Sequence, residues 1–543
     1  MDYDTILEEI GGFGKFQIKI LMLVCLPVLY GAANSLTYIF TARKPPYRCF
    51  VSECEQLEST DYSQDWLQNA LPGSLSNGKF VPEGCYKYNF IQNINDTELT
   101  RNDTCFADLF GLEQEKCNSW IFSSDEVTIV NDWPTELTCT ENQWKLAFAG
   151  TANFAGVMIG SALFGFLADY YGRRKIFIIS IMFMSLSGIG QAISSSYLMF
   201  LIFTFLNAAG TAGIYFSAFI LVIEIIDKNK REMSAVLLNY FYSFGGVLIG
   251  MTAYFDRNWR NLICWLSLPP ILFIFFYRLI PESVCWLISN KLHSNAYKIV
   301  KKAAKTNNKE LSLSLTSQFE GNFIIDRKIP IDSSEKIEKP ENASYAALFK
   351  SKILMVRILI LCILWGTNAL VFYGLSLNSV NLSGNIYYNF IFGSLIEIPG
   401  TTIAWISMNK IGRRYPLVFS FLICGVGCVW GAFSDNEAFL LETLSFLISK
   451  MAISMSFTIT TVYTAEMMPT NMRSGAVGTL STVARLTSLL APFIPLLKSY
   501  YSFLPLTVFG SFALVAGFMS LFLPETLGCD LPDTISEAEE MGV

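Results

Sequence analysis

The chain has 543 residues; 52 % are apolar, only 15 % are charged, and the net charge is −6. Soluble domains carry roughly 25 % charge, and the shortfall is what a lipid-facing surface requires, because charge in hydrocarbon is costly. No basic stripe is interleaved with aromatics, which excludes a nucleic-acid partner. The single histidine, His293, excludes a His-ligated metal centre or a His-based triad within a membrane.

Residues 1–10, within the segment 1–16 that precedes the first span, are polar and acidic, and no small-residue cleavage site follows the first apolar run. The first span is therefore expected to be an uncleaved anchor behind a cytoplasmic segment. A membrane crossing needs about 20 mostly apolar residues. Such runs fall at 17–40, 145–168, 176–194, 198–226, 234–255, 261–280, 353–377, 386–408, 416–434, 438–464, 474–497 and 502–523. The expected fold is an all-α membrane protein with twelve transmembrane helices in two six-helix bundles, 17–280 and 353–523. A central loop at 281–352 joins them, and a tail at 524–543 follows.

The polar segment 42–142 carries Cys49, Cys54, Cys85, Cys105, Cys117 and Cys139, with sequons at Asn95 and Asn102. An even cysteine count beside sequons points to an oxidising, extracellular compartment, three disulfides and glycosylation; fifteen pairings are open. The Lys-rich segment 281–352 reads as cytoplasmic. Arg173, Arg174 and Lys175, then Lys228, Lys230 and Arg231, then Lys410, Arg413 and Arg414 occupy connections on that same side. The positive-inside rule therefore places both termini in the cytoplasm. On this topology the sequon at Asn342 lies inside and stays unmodified, and that at Asn381 lies outside in a short loop.

The chain repeats itself. Gly172-Arg173-Arg174 follows the second run and Gly412-Arg413-Arg414 the eighth; Pro281-Glu282-Ser283 follows the sixth and Pro524-Glu525-Thr526 the twelfth. Matched motifs after matched runs mark two pseudo-symmetric halves that rock about a central site.

Several ordered motifs carry a resemblance: Asp4-x-Ile6-Leu7-x-x-Ile10-Gly11-x-Phe13-Gly14-x-Phe16-Gln17, the long cysteine loop, and Asn385-x-Tyr387-x-Asn389 with Glu397-x-Pro399. Tyr463-Thr464-Ala465-Glu466-x-x-Pro469-Thr470-x-x-Arg473 and the tail from Leu523 to Thr534 complete the set. Together they resemble the organic cation, anion and zwitterion transporter family of the major facilitator superfamily, over essentially the whole chain. The resemblance implies the major facilitator fold, a plasma-membrane location and a small organic ion as substrate. The chain departs from the family pattern at Thr204, where the family has Arg at the start of span four, at Val284-Cys285, and at Asn409, which replaces an acid. The family's residues there belong to a cytoplasmic gate network.

Asp169, Arg173, Arg174, Glu224, Arg231, Arg413, Arg414, Glu466 and Arg473 are placed at that gate, where ion pairs would hold the cytoplasmic side shut and break on opening. Plain topology also explains the basic residues, but not the acids. Counting about 1.5 Å per residue puts Glu397, Lys450 and Arg485 near mid-bilayer, where ionisable groups are functional candidates. If Glu397 neutralises Lys450, an anionic substrate supplies the counter-charge of Arg485. The alternatives are that backbone carbonyls and water satisfy Arg485, and that Lys450 is only a structural tie. Arg485 also matches the position that is Arg in anion and zwitterion carriers of the family, whereas Thr401 stands where organic-anion carriers often have Lys. This leaves room for carnitine-like zwitterions.

Tyr240, Tyr242, Trp365, Tyr373 and Phe457 are expected to line the cavity with adaptable rings, with Ser481 one turn before Arg485 and Asn34 in the first span. Packing or lipid contact is the alternative for any one ring. No phosphate-binding Gly-x-x-x-x-Gly-Lys loop is present, so gradients or exchange would drive transport. No cofactor and no metal is expected; the partners are the substrate and the bilayer. The leading function is alternating-access transport of organic anions or zwitterions. The alternatives are an organic cation carrier and a non-transporting, receptor-like protein; an enzyme is disfavoured because the spans hold no nucleophile–base pair.

Overall fold

The structure is a computed structural model. It describes the chain apart from residues 1–2, 53, 56–60, 77–78, 92–104, 106, 108–109, 124–125, 228–229, 314, 317–318, 320–350, 435–438, 470–472, 530–531, 533–534 and 542–543. The sequons at Asn95 and Asn102 lie outside the described residues.

Among the described residues, eleven helices are long and apolar enough to cross a membrane. Spans 1 to 6 are Lys15–Thr41, Gln143–Tyr171, Arg173–Ala192, Tyr197–Ile225, Arg231–Phe255 and Trp259–Leu279. Spans 7 to 11 are Lys352–Asn381, Ile386–Lys410, Arg414–Ala432, Leu440–Met467 and Gly475–Ser499. The twelfth, Leu504–Ser520, is shorter, about 26 Å at 1.5 Å per residue. Five spans are not continuous α-helices: span 1 is interrupted at Leu36 and Thr37, span 7 ends in a 3-10 turn at Ser379–Asn381, and three others change along their length. Span 6 passes into a 3-10 stretch at Pro269–Phe275 and span 11 into another at Ala491–Ser499; prolines there remove backbone donors. Span 8 breaks at Ile396, between Ile386–Leu395 and Glu397–Lys410.

Apolar burial follows the two halves. One core unites Ile20, Val24, Phe177, Ile214, Leu221 and Leu238 from spans 1, 3, 4 and 5, and a second unites Leu361, Leu417, Phe421, Ile453 and Phe509 from spans 7, 9, 10 and 12. A third joins the halves through Tyr38, Phe154 and Ile249 on one side and Leu370, Tyr387 and Phe390 on the other. The first core extends beyond the spans. Helix Tyr3–Glu9 lays Ile6 and Leu7 against Ala296, Val300 and Ala303 of helix His293–Thr306, so the start of the central segment packs as part of the first half.

The loop between spans 1 and 2 adds structure that the all-helical expectation lacked. Three two-stranded antiparallel ribbons pair Tyr47–Cys49 with Trp120–Phe122, Gly73–Ser76 with Lys79–Pro82, and Tyr86–Phe90 with Phe110–Lys116. Of the fifteen open pairings, the disulfides are Cys49–Cys117, Cys54–Cys105 and Cys85–Cys139. Within the loop the buried Arg48 makes two bonds to Glu55, at 2.7 and 2.8 Å, and donates to the carbonyls of Cys49, Asp61 and Tyr62. A fully paired guanidinium of this kind is a structural centre. The membrane-spanning part therefore has a cysteine face and, opposite it, an arginine face that carries the Gly-Arg-Arg turns.

The repeated motifs meet in pairs on the arginine face. Gly172 and Gly412 start spans 3 and 9 with φ of 101° and 111°, a region that glycine tolerates. A Cβ on either would also strike a carboxylate, Glu282 at 2.7 Å or Glu525 at 2.5 Å. Those carboxylates accept from the unpaired amides of the helix starts. Glu282 takes the Arg174 amide at 2.9 Å; Glu525 takes those of Arg413 and Arg414 at 2.8 and 3.1 Å. Burial pushes the Glu525 carboxyl up, but four amides, from Arg413, Arg414, Leu527 and Thr526, outweigh it and hold the group below the ordinary carboxylate range. A lowered folded value stabilises the fold above the unfolded pKa, about 4.3, and that stabilisation disappears as pH falls through the folded value. Glu525→Gln should lower the melting temperature of the detergent-purified protein by roughly 2–4 °C at neutral pH. It should also flatten the acid-side decline below about pH 4.5, which a series of melts across pH checks.

Candidate functional site

Span 8 breaks just before Glu397, which puts a carboxylate in the first turn of the following helix, where the dipole favours negative charge. Span 10 brings Lys450 to it, with an ammonium–carboxylate distance of 3.0 Å. Both are buried, Lys450 at 2 % exposure and Glu397 at 7 %. The other two ammonium hydrogens are also used: Lys450 Nζ donates to the Phe372 carbonyl at 3.0 Å and to Ser376 Oγ at 2.6 Å, and it lies 3.5 Å from the centre of the Phe372 ring. Glu397 Oε2 accepts from Ser243 of span 5, in the other half, at 2.9 Å. The pair is thus closed on itself, with one hydroxyl reaching it across the divide.

Arg485 has a different environment. Its side chain crosses from span 11 to the first half, donates to Ser161 Oγ of span 2 at 3.2 Å, and places its guanidinium carbon 4.8 Å from the centre of the Phe216 ring of span 4. Among the described residues no carboxylate forms an ion pair with it. Tyr215, next to Phe216, packs edge-on against Tyr242 of span 5, and Tyr373 of span 7 packs edge-on against Phe154 of span 2, with ring centres 6.0 and 4.7 Å apart. Ser481 is half-buried one turn before Arg485.

The other candidates are engaged elsewhere. Tyr240 shares a 2.6 Å hydroxyl contact with Thr402 of span 8, a tie between the halves. Trp365 is buried, donates to Thr464 at 2.9 Å, and meets Phe457 edge-on inside the second half. Asn34 does not join the group. Its amide donates to the Tyr30 and Leu266 carbonyls and its carbonyl oxygen accepts from Asn207 and Ser267, so it ties spans of the first half together.

On the arginine face the two halves carry matching ion pairs. Arg173 meets Asp169 at 2.9 Å and Glu224 at 3.5 Å, and it donates to the Ala168 carbonyl. Arg413 meets Glu466 at 2.8 Å and donates to the Met408 carbonyl. Arg174 lies over the Tyr277 ring, Arg414 donates to the Leu521 carbonyl, and Arg231 donates to the carbonyls of Ile223 and Ile226. The side chain of Arg473 lies outside the described residues. Each of these named pairs joins residues of one half. The expected clasp between halves is therefore not made by them in this conformation. Thr204 lies near the start of span 4, which begins at the cysteine face, and accepts from Gln191 at 2.9 Å, remote from the arginine-face network that the family pattern implies for this position.

Ser161, Phe216, Ser243 and Ser376 escaped the sequence reading because neutral residues inside apolar runs carry no positional signal. Glu282 and Glu525 were visible as a repeat, and their shared offset after the last span of each half was the available clue to a shared role.

Two six-helix halves with buried charge at their interface define a membrane carrier. Residues 96–536 match the family described as sugar (and other) transporter. Human organic cation/carnitine transporter 2 is 32 % identical over 99 % of this chain and 94 % of its own length. The organic cation transporter protein of Drosophila melanogaster is 29 % identical over 100 % and 95 %. The chain belongs to the organic ion transporters of the major facilitator superfamily. The fold matches the inward-open xylose transporter XylE from E. coli, with a TM-score of 0.60 and 16 % identity over 95 % of this chain and 98 % of that one.

Removing one member of the buried Glu397–Lys450 pair strands the other charge. Lys450→Met and Glu397→Leu should each cost about 3–5 kcal/mol, and the double variant should recover most of the loss. Thermal unfolding of the three purified variants checks this non-additivity.

Proposed function

We propose that this transporter carries small organic anions or zwitterions across the plasma membrane by alternating access, with Arg485 as the anion anchor. The observation that carries the proposal is the contrast between two buried cations. Lys450 has a carboxylate, a carbonyl and a hydroxyl for its three hydrogens; Arg485 has one hydroxyl and one ring. A guanidinium offers five donors and matches a carboxylate or sulfate bidentately. A substrate anion placed there completes the set and removes the cost of an unpaired buried charge. A zwitterion adds an ammonium, which the neighbouring rings of Tyr215, Tyr242 and Tyr373 accommodate through their faces. Lys450 is then a structural tie to Glu397.

In this reading the arginine face is cytoplasmic and the cysteine face extracellular, as the basic connections and the disulfides favour. Contacts between halves nearer the cysteine face, such as Thr151 to the Leu489 carbonyl and Tyr254 on Tyr388, describe a carrier shut toward the outside. The ion pairs of Arg173 and Arg413 stiffen the inner end of each half, so that the halves move as bodies.

Uptake of a labelled panel of anions, cations and zwitterions in cells tests the proposal. Arg485→Ala should reduce uptake of a carboxylate substrate by about 10- to 100-fold, the worth of a charge-assisted hydrogen bond, with surface expression unchanged. Arg485→Lys should recover part of it, and Arg485→Asp should shift preference toward cations. Anion uptake that survives Arg485→Ala removes the anchor; absence of flux for every panel member favours a receptor.

A further inference from the structure

The cysteine loop returns to the membrane through Glu126, a residue so far without a role. The segment after it is fastened to the first half. The Val127 amide donates to the Arg257 carbonyl and the Trp259 amide to the Val127 carbonyl, both at 3.0 Å. Asp132 pairs with Arg260 at 2.7 Å, and the Trp133 ring packs against Tyr197, Phe200 and Trp259. This end of the loop therefore moves with spans 4 and 6.

From that base the Glu126 carboxylate reaches two partners. Arg43, just beyond span 1, is an ion-pair partner within the first half, and the Tyr387 hydroxyl, at the start of span 8 in the second half, donates to it at 2.8 Å. Tyr387 is buried. Its ring lies parallel to Phe40 at 5.9 Å and edge-on to Tyr254 at 5.8 Å, both of the first half. The side-chain oxygen of Asn385 caps the helix by accepting the amides of Tyr387 and Tyr388, which fixes the direction in which both rings project. A small recess, bordered by Arg43, Glu126, Asp256, Arg257 and Tyr387, opens beside the bond. Water can therefore replace the phenol when the halves part.

We propose that Glu126 is the outer latch of the transport cycle, a carboxylate of the extracellular loop that holds Tyr387 while the entrance on the cysteine face is shut. The proposal rests on the alternating-access reading above. Arg43 pairs with the carboxylate and aims it, and a phenol donating to a carboxylate makes a stronger bond than one between neutral groups. The rings give the contact its shape, and the single hydrogen bond sets how readily it opens. The long loop, on this account, takes part in gating as well as protecting the entrance.

The test uses the full-length protein in cells, in a Cys264→Ser background with a reporter Thr151→Cys on span 2, and a membrane-impermeant maleimide added outside. Tyr387→Phe keeps the ring and deletes only the hydroxyl; Glu126→Gln deletes the charge. Each should raise the labelling rate of the reporter by roughly 10-fold, the worth of one hydrogen bond to a charged group. The double variant should label no faster than either single one, and Glu126→Asp should lie nearer the parent. Unchanged labelling in both single variants, with uptake intact, overturns the latch and leaves the transport reading standing. Raised labelling without uptake of any panel substrate supports the latch and counts against the transport reading.

Discussion

A charge held in hydrocarbon must bring its partner with it, and the interior of this carrier is organised by how that demand is met. Glu397 and Lys450 meet it completely. The break in span 8 at Ile396 gives Glu397 the positive end of a helix, and span 10 supplies the ammonium 3.0 Å away. Ser376 and the Phe372 carbonyl take the remaining hydrogens. With that pair closed, Arg485 is left, among the described residues, with one hydroxyl acceptor and one ring for its five donors. An incompletely satisfied guanidinium between two bodies is expensive unless something passing through repays it.

The arginine face obeys a related rule with different groups. Each half begins its third span with a glycine at positive φ and roofs that helix start with a glutamate from beyond its sixth span, Glu282 in one half and Glu525 in the other. The arginine after each glycine then returns to a carbonyl five residues earlier and to an acid at the end of the fourth span, Glu224 or Glu466. The arginine-face end of each half is thereby a network of its own. Rigid ends favour movement at the seam between halves over bending within them, and the seam holds discrete contacts: Tyr240 with Thr402, Ser243 with Glu397, Tyr387 with Glu126.

Hydropathy made the twelve spans legible to within a few residues, because lipid admits few alternatives to long apolar helices. Glu397, Lys450 and Arg485 were legible for the same reason, since ionisable residues are conspicuous there. What the sequence could not convey was direction. Tyr240, Trp365 and Asn34 looked as suited to a cavity as Tyr242 and Tyr373, yet their polar atoms turn to Thr402, Thr464 and Asn207. The disulfide pairing was hidden because it depends on how three short ribbons fold back within the loop. Thr204 posed a different difficulty: the start of an even-numbered span lies at the cysteine face, whereas the family pattern implies the arginine-face network for this position.

The division of labour between the halves follows from composition as much as from contacts. Between the ends of spans 2 to 5 the first half contributes no charged residue, and its side chains at the seam are hydroxyls and rings, such as Ser161, Phe216, Tyr242 and Ser243. All three mid-membrane charges belong to the second half. On the proposed reading, a solute between them meets a fixed charge on one side and compliant aromatic surface on the other. Charge selects sign strongly, because a mismatched ion in low dielectric is heavily penalised. Rings and hydroxyls select shape weakly, because they offer area without fixed directionality. On that reading such a seam discriminates by charge class more than by structure, and a change in charge preference should arise from substitutions in spans 8, 10 and 11, with the first half left as it is.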